Sequence, residues 1–129
     1  MIVVDNAAVV HALTAVEGSE DLRAELATDE LHAPTLLDFE VVSALRGLTL
    51  SGQLNVARAQ DALTDFDDLP IHGWPSGAAL RRRAHSLRAN LTAYDAAYVA
   101  LAEALQCPLL TRDVRLARSS GHSAKIRVR

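Results

Sequence analysis

The chain has 129 residues, half of them apolar, with one cysteine and a formal net charge of −3. That suits a single domain over residues 1–129 with a modest core, and it excludes a disordered chain, a membrane-spanning helix and any disulfide or thiolate-rich zinc site. The opening Met-Ile-Val-Val-Asp enters a strand-like run at once, without a basic leader or a cleavage site, so a cytoplasmic protein with no membrane partner is expected.

Charge is unevenly spread. Residues 1–80 hold 3 basic and 13 acidic side chains, net −10, and residues 81–129 hold 10 basic and 3 acidic, net +7. Such polarity offers phosphate one surface of the fold, although a solvated basic helix and tail would have the same composition.

Ile2 to Val4 reads as a short buried strand ending at Asp5. A helix from Ala7 to about Ala15 follows, with Val9, Val10 and Leu13 at helical spacing, and Gly18-Ser19 breaks it. Ser19 is the expected N-cap of a second helix carrying Leu22 and Leu26. Leu31-His32-Ala33 is a short strand closed by Pro34. From Leu36 or Asp38 to Ser51, Val41, Val42, Leu45 and Leu48 mark a helix that Gly52 stops. Asn55 caps the next helix, which runs to Phe66. Leu69-Pro70-Ile71-His72 reads as a brief strand, residues 76–89 as a basic helix, and Thr92 to Leu105 as an Ala-rich one. Pro108 to Thr111 is a strand, Val114 to Arg118 a helical turn, and Ile126 to Val128 a last edge strand. Strands alternating with helices predict an α/β fold around a short, mostly parallel central sheet.

Parallel sheets gather their sites beyond the carboxyl ends of the strands. Asp5 ends the first strand and Asp113 follows a later one, so two adjacent central strands would bring them to one edge. Asp95 stands in a Thr-x-x-Asp helix start, and Glu40 lies near the start of its helix with Ala44 and Gly47 continuing its face. Each acid alone has a plainer role: Asp5 as a cap, Asp95 as half of a capping box, Glu40 as a solvated helix residue, Asp113 as a turn residue. Gathered together they would repel unless a hard cation joined them, and Mg²⁺ or Mn²⁺ takes carboxylate, water and phosphate oxygens. The five histidines are scattered, and none pairs at metal-binding spacing.

The set resembles the PIN-domain nucleases, and in particular the VapC-type toxins of toxin–antitoxin pairs. Met-Ile-Val-Val-Asp-Asn-Ala-Ala-Val-Val is similar to that family's first strand, first acid and following helix. Ala33 to Arg46 resembles the segment with the second acid, Leu91 to Ala102 the third, and Pro108 to Asp113 the fourth, in order from residue 1 to about 118. The resemblance implies a PIN-like three-layer α/β/α domain. It implies that Asp5 and Asp95 hold the metal most directly, and that Glu40 and Asp113 complete the cluster by binding metal or its water. Asp38 stands beside Glu40 as a fifth acid in the same segment. Thr111 matches a small hydroxyl residue near the site.

The implied activity is hydrolysis of RNA phosphodiesters by a metal-activated water. Arg46, Arg82 and Arg112, with Arg81, Arg83 and Arg88, are candidates to hold the RNA backbone. The implied partners are a VapB-type antitoxin and a second copy of the chain. His11, Trp74 and Cys107 read as packing residues. A phosphoacceptor receiver would need an acidic pair after the first strand and a late lysine, but Asn6 follows Asp5 and the only lysine is Lys125. An Asp-x-Asp phosphatase fails because residue 7 is Ala. A housekeeping RNA-processing nuclease without antitoxin, or a non-catalytic PIN-like RNA-binding module, are the remaining alternatives; the latter would have lost acids that are all present.

Overall fold

The computed structural model describes residues 1–15 and 17–129. Three β-branched residues in succession favour an extended chain, and all three side chains of β1 (Ile2–Val4) are buried. Burial on both faces belongs to a central strand of a parallel sheet. The other strands are β2 (Leu31–Pro34), β3 (Ile71–Trp74), β4 (Leu109–Thr111) and β5 (Ile126–Val128). They lie in the order β3-β2-β1-β4-β5, and every pairing is parallel. The sheet is therefore more uniform than the mostly parallel one expected.

Parallel neighbours need crossovers, and helices supply them. α1 (Asn6–Thr14) and α2 (Glu20–Thr28) join β1 to β2, and α3 (Leu37–Leu50) and α4 (Val56–Asp68) join β2 to β3. α5 (Ala78–Ser86) and α6 (Ala93–Leu105) lead back to β4, and the short α7 (Val114–Ala117) precedes β5. α1, α3 and α4 pack on one another, while α5 lies on α6 and α6 crosses β1 and β2. The result is a sheet flanked by helices in three layers. Small residues let α6 sit close: Ala96, Ala100 and Ala102 are buried beside Val99 and Leu101. Each fully buried Val, Leu or Ile in this core contributes roughly 1.5–3 kcal/mol of transfer free energy. Among the described residues, no helix is long and apolar enough to cross a membrane.

The chain winds outward from β1 to β3 and then returns to β4 on the other side of β1. That reversal sets the carboxyl ends of β1 and β4 side by side, where a crevice opens in such sheets.

Local differences from the expected elements have local causes. β3 begins two residues later than its apolar run and extends to Trp74, because it pairs from Leu31↔Ile71 to Pro34↔Trp74. Pro34 is thus the last residue of β2 rather than its stop. Ser19 occupies the N-cap position of α2, but its ψ of 8° is not extended; its hydroxyl donates back to the Ala15 carbonyl at 3.4 Å instead of capping. α5 is shorter than residues 76–89, since Leu87 to Leu91 close tight turns on Ala84, His85 and Leu87 carbonyls. Gly52 behaves as expected: at φ +80° it follows α3 and donates to the Thr49 carbonyl, a backbone region where any side chain would be strained.

Candidate active site

Asp5 is the residue at which β1 turns into α1. Its extended backbone lets Oδ1 accept the Ala8 N–H at 2.9 Å, so it does cap the helix. Its other oxygen accepts the hydroxyl of Thr111, at the end of neighbouring β4. Only 8% of Asp5 is exposed. Burial pushes its carboxyl above the usual range; the two hydrogen bonds oppose that, and the charges of Asp95 and Glu40 add to it.

Glu40 lies in the first turn of α3, half-buried, and accepts the Tyr98 hydroxyl at 2.6 Å. Burial again raises its carboxyl, with Tyr98 opposing and Asp95 adding. Tyr98 is itself buried, and its phenol is pushed far above the ordinary value by burial, by its bond to Glu40 and by the charges of Glu40, Asp5 and Asp95. It therefore stays a hydrogen-bond donor. Asp95 starts α6, where Thr92 Oγ1 accepts its N–H at 3.3 Å. Among the described residues no protein group donates to the Asp95 carboxylate, so the reciprocal half of a capping box is not made.

Asp5 and Glu40 thus both feel the charge of Asp95, and Asp5 that of Glu40 as well, at the carboxyl edge of β1. Asp113 is placed differently. It caps α7, accepting the Arg115 N–H at 2.9 Å, and Arg115 Nε and Nη2 at 3.1 and 2.9 Å. Arg115 holds its carboxyl below the usual range. Asp113 is tied to Asp5 through its backbone N–H, which donates to Thr111 Oγ1 at 3.0 Å, and its partner Arg115 also feels the charge of Asp95. Thr111 is fully buried, its hydroxyl donating to Asp5 and accepting the Asp113 N–H.

Among the described residues, no three His, Cys, Asp or Glu side chains stand close enough to form a metal-binding group as they are. The donor chemistry nevertheless fits a hard divalent ion. Asp5, Glu40 and Asp95 offer only oxygen, burial and neighbouring acids raise the first two, and among the described residues nothing donates to the Asp95 carboxylate. Mg²⁺ usually takes one or two carboxylates directly and keeps water elsewhere, so a looser acidic set suffices.

The other candidates separate clearly. Asp38 is exposed and lines a hollow with Phe66, Asp67 and Gly73, away from the acids that surround Glu40. Arg112 is exposed and donates to the Arg129 carbonyl at 3.1 Å across β4 and β5. Arg46 is exposed on α3, and Arg82 is exposed on α5 beside Arg81 and His85. Arg83 is committed to Glu103 through Nε and Nη2, both at 2.9 Å, which leaves little for RNA. Tyr98 is the residue that sequence reasoning missed. The signal was its position three residues after Asp95, on the same face of the helix.

The comparisons with known proteins agree with this architecture. A PIN domain family model matches residues 2–121. The ribonuclease VapC9 of Mycobacterium tuberculosis is 44% identical over 116 residues, covering 90% of this chain and 88% of that protein. The ribonuclease VapC12 of the same species is 36% identical over 126 residues, covering 98% and 97%. Among solved structures, VapBC2 from Rickettsia felis, bound to a DNA fragment from their promoter, superposes with a TM-score of 0.69 at 14% identity, covering 99% of this chain and 98% of that one. At that identity the likeness is one of fold.

Proposed function

The chain belongs to the PIN-domain family and, within it, to the VapC ribonucleases, and from that premise we propose that it is a Mg²⁺-dependent endoribonuclease toxin of a type II toxin–antitoxin pair. The observation that carries the reading is Asp5, buried at the switch point of the sheet, with the charges of Glu40 and Asp95 adding to the rise of its carboxyl.

A divalent ion bound there supplies the positive charge that lets these acids ionise together and that polarises water and phosphate. The chain's own residues fix the geometry. Ala8 N–H and the Thr111 hydroxyl hold both oxygens of Asp5. Tyr98 occupies Glu40 Oε1, leaving Oε2 to accept the proton of the attacking water. Asp95 presents a carboxylate free for the cation. Asp113 joins when it releases Arg115, whose side chain is almost wholly exposed and weakly held. Arg46, Arg82 and Arg112 are exposed and available to phosphates. A VapB-type antitoxin and a second copy of the chain are the expected partners.

Incubation of the purified protein with RNA tests the reading. Cleavage is expected with Mg²⁺ or Mn²⁺, none with chelator, and a loss of roughly 10²–10³-fold in Asp95→Asn, the size seen when one catalytic electrostatic contact is removed. Equal cleavage by a folded Asp95→Asn protein would remove the assignment. Growth arrest on production of the chain alone, relieved by its antitoxin, separates a toxin from a housekeeping nuclease.

A further inference from the structure

Beside the acids, on the same edge of the sheet, lies a groove of about 380 Å³. Trp74 at the end of β3 forms one wall, Leu80 and Ala84 of α5 another, and Leu36 and Tyr94 complete it. It is continuous with the acidic set through two elements. Tyr94 immediately precedes Asp95 at the start of α6, and the Leu36 carbonyl accepts the Glu40 N–H at 3.1 Å. The lining is largely apolar, with Thr35, Ser76 and His85 as its uncharged polar members, and its charged rim is formed by Arg81 and Arg88, with no carboxylate.

The aromatic wall is fixed in place. Trp74 Nε1 donates to His32 Nδ1 at 3.0 Å, so His32 carries its proton on Nε2, which donates to Glu30 at 2.7 Å. His72 packs against the indole at a centroid distance of 4.9 Å. Arg81 and Arg88 are each anchored through Nη1, to Ser76 and to the His85 carbonyl, which leaves their remaining N–H groups for a ligand.

We propose that this groove receives an unpaired nucleobase of the RNA whose phosphodiester is cut at the acids, with Arg81 and Arg88 on the flanking phosphates. The inference rests on the nuclease reading above. A base offers a flat apolar face to an aromatic wall whatever its identity, and single-stranded RNA is held by such stacking together with guanidinium groups. Charge complementarity selects a nucleic acid over an apolar peptide. An acidic site repels phosphate, and a cationic rim next to it draws the backbone toward the scissile position. A duplex keeps its bases stacked inside and has no free base to insert.

Trp74 is the chain's only tryptophan, so its emission reports on the groove directly. The experiment titrates the full-length Asp5→Asn protein, in Mg²⁺, with single-stranded RNA of about ten nucleotides. Trp74 fluorescence and RNA anisotropy are read together. Quenching is expected to saturate with binding, and an abasic residue at one position of the strand is expected to weaken binding ~10-fold and abolish quenching. Ala84→Phe, which fills the groove, removes both the quenching and the discrimination. Arg88→Glu, at an exposed position where folding is not at stake, weakens intact and abasic strands alike and flattens the salt dependence. Equal affinity for intact and abasic strands with unchanged Trp74 emission would overturn the proposal. So would quenching by an antitoxin-derived peptide where RNA gives none. The nuclease reading fails separately, if the wild-type protein leaves RNA intact in Mg²⁺ and Mn²⁺ while these oligonucleotides still quench.

Discussion

Glu103 and Asp5 are both carboxylates with little solvent exposure, yet they sit in opposite electrostatic states. Glu103 accepts two bonds from Arg83 at 2.9 Å, the Ser123 N–H at 3.0 Å and the Ser123 hydroxyl at 3.2 Å. That set draws its pKa down to about 2 and pins the chain before β5 onto α6. Asp5 meets only neutral donors, and burial with two acidic neighbours drives its pKa the other way. A carboxylate that holds the fold is completed by charge-assisted bonds from its own chain. Where the chain leaves an acid uncompensated in a crevice, the missing charge points to something bound from outside.

The largest effect expected from breaking this contrast is on catalysis. Asp5→Asn should slow RNA cleavage by roughly 10²–10³-fold. The same change should stabilise the metal-free protein at pH 8. The folded-state pKa of Asp5 is raised, so its contribution is complete below the ordinary carboxylate range and is lost as pH rises through the raised value. Asparagine removes that loss. Denaturant midpoints in chelator at pH 4 and pH 8 measure it; a variant less stable than wild type at pH 8 would contradict the idea of an uncompensated acid.

Glu103→Gln is the reverse experiment. Its pKa is lowered from 4.5 to about 2, so its contribution is present above pH 4.5 and lost as pH falls through about 2. The thermal midpoint at pH 7 should drop by roughly 3–6 °C, with less difference as the pH approaches 2, and cleavage per folded molecule should be unchanged. Loss of activity without loss of stability would mean that the two carboxylates are not as separate as their surroundings indicate.

The backbone of this contrast was legible in the sequence, and its side-chain partners were not. Ile2-Val3-Val4 before Asp5 and Leu109-Leu110-Thr111 before Asp113 carry strand type and strand end in adjacent residues, which is enough to set two acids on one edge once the sheet is parallel. Thr92 three residues before Asp95 gives the helix start in the same local way. The lateral shift of β3 could not be read locally, because its register is set by β2 and not by its own apolar run. Nor could the pairing of Asp113 with Arg115, since Arg115 could equally have turned to solvent. Tyr98 meets Glu40 only because α6 packs where α3 begins, 58 residues away in sequence.

Tyr98→Phe tests that long-range contact. Without the phenol, burial and Asp95 act unopposed on Glu40 and raise its pKa further. The acidic limb of the pH–rate profile should move to higher pH, with cleavage down roughly tenfold below neutrality and recovering in alkali, as expected for a lost hydrogen bond to a charged group. A tyrosine that served only packing would lower the rate equally at every pH.

The smallest effect concerns the fourth acid. Arg115 satisfies Asp113 much as Arg83 satisfies Glu103, and by that likeness Asp113 would be a structural carboxylate. The two pairs differ in exposure: the Arg115 side chain is 89% exposed, against 42% for Arg83. An ion pair so open to water is weakly held and gives way to a competing cation. Arg115→Ala should therefore leave the thermal midpoint unchanged in chelator, because the Asp113 carboxylate still caps α7 through the residue 115 N–H. The freed carboxylate should lower the Mg²⁺ concentration for half-maximal cleavage by a factor of roughly 2–5, the range open to an exposed pair. An unchanged Mg²⁺ requirement for half-maximal cleavage would make Asp113 the cap of α7 alone and confine the cation to Asp5, Glu40 and Asp95.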